Sequence, residues 1–138
     1  APAACSTIVQ NLKDFGRKPE EYDQIITGDS WYIGQQILLD LLEKEGYQAG
    51  KNHKDCGILM YDQKTQDTHA GGSGCGCSAS VLAGYILPKI ACGDWKRVLF
   101  VPTGALMSKV SFSEGNSVPG IAQGVVLEWE EGEVEQTC

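Results

Sequence analysis

Residues 71–80, GGSGCGCSAS, put four glycines, two cysteines and three serines ahead of an apolar run that reads as a helix. Free N–H groups at a helix start carry partial positive charge, and glycines let a ligand approach the main chain. Gly72, Ser73 and Gly74 could therefore cradle a phosphate or carboxylate. The run fits neither nucleotide pattern, since no strand leads tightly into a GxGxxG and no Gly-Lys-Ser follows. A thiol at a helix N-terminus can be acidified, which makes Cys75 or Cys77 a candidate nucleophile. Close packing of two small side chains under the helix is the favoured alternative. A structural zinc site is not expected, because Cys-x-Cys lacks the two-to-four-residue spacing between ligands.

Two further residues could share that mouth. His69 precedes the glycines and could reach it; as a lone loop imidazole it reads equally well as a solvated side chain. Asp29, in TGDS, follows a strand and could face a cleft, although capping of the next helix by Asp29 or Ser30 accounts for it without a ligand. The Glu43, Lys44 and Glu45 cluster reads as a wet helix face. Trp31, Trp95 and Trp129 read as packing or rim residues.

The elements that must position these residues follow from periodicity. Ile8, Leu12 and Phe15 fall on one face of a helix over Pro2–Phe15, with Gly16 placed to stop it. The run from Asp23 to Asp29, DQIITGD, suits a buried strand. Ile33, Ile37, Leu38, Leu41 and Leu42 repeat at helical spacing before Gly46. From Gly46 to Gly72 the sequence reads as a long irregular connection holding one short strand, CGILMYD (Cys56 to Asp62). Val81, Leu82, Tyr85, Ile86 and Ile90 mark another helix that ends near Gly93, with Pro88 expected to kink it. RVLFVPTG, Arg97 to Gly104, has the continuous apolar character of a strand covered on both faces. A Ser and Gly loop then leads to a last strand within Gly120 to Glu130. The predicted architecture is α/β, a mixed sheet flanked by helices in the order α-β-α-loop-α-β-β, with one domain over 1–130 and an acidic tail over 131–138.

The chain has 138 residues, 42% of them hydrophobic, a formal charge of −7 and eleven scattered Lys and Arg. This is one domain's worth of core, without the basic patch that nucleic acid requires. No apolar run approaches the roughly 20 residues of a membrane span. The six cysteines are expected to be reduced thiols of a cytosolic-type soluble protein, as no leader-like stretch is in view. A start at Ala1 without Met makes a processed or partial chain the expectation.

Taken in order, TGDSWYIG, DCGILMYD, HAGGSGCGCSASVLAGYI, RVLFVPTGALMS and SVPGIAQGVVLE resemble the C-terminal half of the stage V sporulation protein AD family of spore-forming bacteria. The resemblance runs over nearly the whole chain. It implies a thiolase-like fold, the architecture of ketoacyl synthases, with only the C-terminal half present. A missing N-terminal half or a second chain should then cover what half a fold leaves open.

In thiolase-like condensing enzymes a catalytic His follows the strand that corresponds to Asp23–Thr27, and an Asn precedes the helix that corresponds to Ser78–Ile90. Here those places read Gly28 and Asp29, and Gly71, Gly72 and Ser73. Neither group that would stabilise a thioester oxyanion is present. The resemblance therefore implies no catalytic residues, no cofactor and no resident metal. It implies binding of dipicolinic acid or calcium dipicolinate beside other stage V sporulation A-operon proteins, peripheral to the spore inner membrane. The ligand would lie near Asp29, His69, Gly72, Ser73, Gly74 and Cys75. An acyl-transferring enzyme and a purely structural partner are the alternatives.

Overall fold

The β-branched run of DQIITGD forms the first strand, β1 (Gln24–Thr27), and its last three residues are all buried. The computed structural model describes residues 1–69, 75–102, 109–117 and 120–131. Before β1 lies helix α1 (Pro2–Phe15), and after it α2 (Trp31–Lys44). Strand β2 (His53–Asp55) runs directly into a five-residue helix, α3 (Cys56–Met60). A longer helical stretch comprises α4 (Cys75–Val81), a π turn (Leu82–Ile86) and α5 (Leu87–Ala91). Strand β3 (Arg97–Val101), helix α6 (Lys109–Ser113) and strand β4 (Val125–Glu128) complete the order.

The sheet order is β2-β1-β3-β4. β1 pairs in parallel with β2 and β3, whereas β4 runs antiparallel to β3. Strand alternation divides the core between the two faces. Ile25, Leu99 and Val101 meet Ile8, Leu12, Leu38 and Leu42 of α1 and α2. Ile26, Val98 and Phe100 meet Cys56, Cys77, Val81, Ile86 and Ile90 on the other side. With helices on both faces, the mixed α/β layering expected from the sequence is present.

Several expectations are corrected. The short strand is not CGILMYD. The strand is the preceding His53–Asp55, while Cys56–Met60 is helical because the Asp55 carboxylate caps it by accepting from the Gly57 N–H at 3.0 Å. The predicted loop thus holds β2 and α3, and α6 interrupts the connection to the last strand. Just before Pro88 the helix takes a π turn and then continues as α5.

Gly16 ends α1 as expected. Its φ of 61° turns the chain so that the Arg17 N–H returns to the Leu12 carbonyl at 2.9 Å. Phe15, however, points outward and lies under the Arg17 guanidinium, and Ile33 and Ile37 of α2 are exposed, so each apolar stripe is narrower than its periodicity suggested. The six cysteines are not all reduced. Cys5, Cys56 and Cys77 are free and buried, but Cys92, an exposed residue that buries no thiol in the core, is disulfide-bonded. The acidic tail from 132 onward lies outside the described residues. Among the described residues, no helix is long and apolar enough to cross a membrane.

Candidate functional site

From β1 the chain passes to β2 on one side of the sheet, and from β3 to β4 on the other. The connections therefore part between β1 and its neighbour β3. In open α/β sheets a crevice forms at such a place, outside the C-terminal ends of the strands. Thr27, Gly28 and Asp29 end β1 there, and Asp55 and Cys56 end β2 beside them.

Asp55 organises this corner. It is fully buried, and its carboxylate accepts from the Thr27 hydroxyl (2.8 Å), the Ser30 N–H (3.0 Å), the Trp31 N–H (3.1 Å) and the Gly57 N–H (3.0 Å). The start of α2 is thus capped from the neighbouring strand. The Ser30 side chain makes no capping bond, contrary to one reading of TGDS. Burial raises the Asp55 pKa, and these four donors offset part of that effect. Four donors and no acceptor suit the ionised carboxylate.

A polar chain continues behind it. Gln35 Nε2 and His53 Nδ1 lie 3.1 Å apart, as do His53 Nε2 and Thr27 Oγ1. Because the Thr27 hydroxyl donates to Asp55, Nε2 carries the imidazole proton and donates to Thr27, and Nδ1 accepts from the Gln35 amide. That tautomer is neutral. Burial lowers the His53 pKa from 6.5 to about 4, in accord with it.

On the opposite face of the sheet lie the thiols. Burial pushes Cys56 up to about 12, reinforced by Asp55 and Cys77 and opposed by a hydrogen bond with Ser78. Burial likewise pushes Cys77 up to about 11, with Asp29 and Asp55 adding to the effect. A helix N-terminus would lower a thiol's pKa; here desolvation and two carboxylates outweigh it, and both groups are protonated at neutral pH.

Of the residues predicted from sequence, Asp29 stands at this corner, half-buried, in the field of both thiols and against Gly57. Cys75 opens α4, and its side chain lies outside the described atoms. Gly72, Ser73 and Gly74 fall outside the described residues. His69 is exposed, takes φ 47° and pairs with Asp67 at 3.4 Å. Sequence reading missed Asp55, Thr27 and Gly57. The available signal was Asp-Cys-Gly, an Asp two residues before a Gly at a helix start. No group of three or more His, Cys, Asp or Glu among the described residues could hold a metal ion.

A groove of about 550 Å³ lies at the other end of the strands, where Glu20, Asp40 and Glu43 face the single Lys51. Three carboxylates against one ammonium make it a poor receptor for an anion.

A family model described as stage V sporulation protein AD matches residues 1–128. The chain belongs to that family. It is 44% identical over 128 residues to the stage V sporulation protein AD of Bacillus subtilis (strain 168), a match that covers 93% of this chain and 38% of the relative. The chain thus spans well under half the length of that stage V sporulation protein. The corner at β1 and β2 lies within the matched region.

Proposed function

We propose that the chain is the C-terminal part of a non-enzymatic binding protein of bacterial sporulation, in which a thiolase-like crevice holds dipicolinic acid or its calcium chelate. The observation that carries this reading is the state of the corner where a condensing enzyme would work. The β1 turn supplies Gly28 and Asp29 instead of an imidazole, and the two thiols behind it are buried and driven up to about 12 and about 11. A thioester chemistry needs a thiolate and an oxyanion partner. The described residues of this corner offer no thiolate.

A small planar dicarboxylate held by main-chain donors is suited to such strand ends. Family membership supports the sporulation context. Within it, the protein acts with the other stage V sporulation A-operon proteins at the spore inner membrane, and the remaining length of the protein supplies the opposite wall. Calorimetric titration of the full-length protein with dipicolinate, with and without calcium, tests the reading. It predicts one saturable site, weakened when Gly74 is replaced by Val. Absence of saturable heat in both titrations contradicts it.

A further inference from the structure

We propose that the indole N–H of Trp31 donates a hydrogen bond to a carboxylate of the bound ligand, which makes Trp31 a binding residue of the crevice; this rests on the dipicolinate reading above. Trp31 is 1% exposed, yet its Nε1 has no hydrogen-bond partner. Of the buried orphan side-chain atoms among the described residues, this one alone belongs to the corner built around Asp55. Buried indole N–H groups ordinarily find an acceptor, and one without a partner in a native fold calls for an explanation.

The residue is also held in a costly conformation. Its φ is 57°, a left-handed value that is an outlier for a bulky side chain, and such strain persists only where the surroundings enforce it. They do so from several directions. The Trp31 N–H is tied to Asp55 Oδ1 at 3.1 Å. The ring stands edge-on to Tyr32 and Tyr61, with centroids 5.4 and 6.4 Å away. One edge of the indole lies against Gly57, where a Cβ would come within 3.1 Å of Trp31 Cε3. A Phe would fill this space without an orphan donor, and a Gly or Asn would relieve the backbone.

The ligand's chemistry supplies what the site lacks. Asp55 already takes the first main-chain N–H groups of α2, so an anion gains nothing from them. The indole N–H is a desolvated, rigidly positioned donor without an acceptor. A planar aromatic dicarboxylate brings acceptors together with a ring face that suits the exposed Tyr32 and half-buried Tyr61 beside Trp31.

The test uses the full-length protein and its Trp31→Phe variant, which keeps an aromatic ring and removes the donor. Calorimetry with dipicolinate should show affinity about tenfold weaker in the variant, as expected for loss of one hydrogen bond to a charged acceptor. In the ¹⁵N-labelled wild type, saturating dipicolinate should move the Trp31 indole proton resonance downfield. Equal affinity of wild type and folded variant overturns the inference and leaves the dipicolinate reading standing. No binding by the wild type overturns both. If Trp31→Phe does not fold, the indole resonance of the wild type decides, and its failure to move at saturation overturns the inference alone.

Discussion

Asp55 and His53 show at the residue scale how this corner is kept in order. Replacing Asp55 by Asn sets an amide NH₂ against groups that already donate, so Asp55→Asn should destabilise the protein by about 3 kcal/mol, measured by urea unfolding. His53 gives a pH signature. Its folded pKa of about 4 lies below the ordinary 6.5, so between these values the unfolded chain binds the extra proton. Stability should be complete above pH 6.5 and fall as the pH drops toward 4, by at most about 3 kcal/mol, and His53→Gln should remove that slope. The thiols carry the opposite sign. Cys56 and Cys77 are raised from 9.0 to about 12 and about 11, so the folded state holds their protons longer and stability should decline above pH 9. With both thiols contributing, the slope approaches about 2.7 kcal/mol per pH unit. The position of Asp29 was legible because it follows a recognisable strand. Asp55 was not, since nothing local reveals that a polar residue in KNHKDCG will be buried by partners 24 to 28 positions earlier.

At the scale of elements, the junction of β2 and α3 is where sequence and structure part most clearly. Long helices and the apolar strands announced themselves through periodicity. A three-residue strand bearing His and Asp falls below any pattern length, and the apolar run after it suits a short helix as well as a strand. Gly57 holds this junction together. A methyl group there would overlap the Asp29 carboxylate and approach Trp31 Cε3 at 3.1 Å and Asp55 Oδ1 at 3.2 Å. Trp31 and Asp55 are pinned. Gly57→Ala should therefore cost about 2 kcal/mol, seen as a lowered thermal midpoint, and should weaken ligand binding by displacing Trp31.

At the scale of the whole molecule, two apolar clusters sandwich one four-stranded sheet, and three free thiols of the described residues, Cys5, Cys56 and Cys77, sit inside them. Cys5, Cys56 and Cys77 should resist a thiol-specific reagent in native buffer and react together at the urea concentration where far-UV circular dichroism is lost. The layered α/β class was readable from the alternation of element types, while the relative is far longer than the part that this chain matches. The central claim is that this corner receives a ligand and performs no acyl transfer. Intact-mass analysis of the full-length protein after incubation with acetyl-CoA tests it most directly. The account predicts an unchanged mass; an acetyl group recovered as a thioester on Cys56, Cys77 or any other cysteine would contradict it.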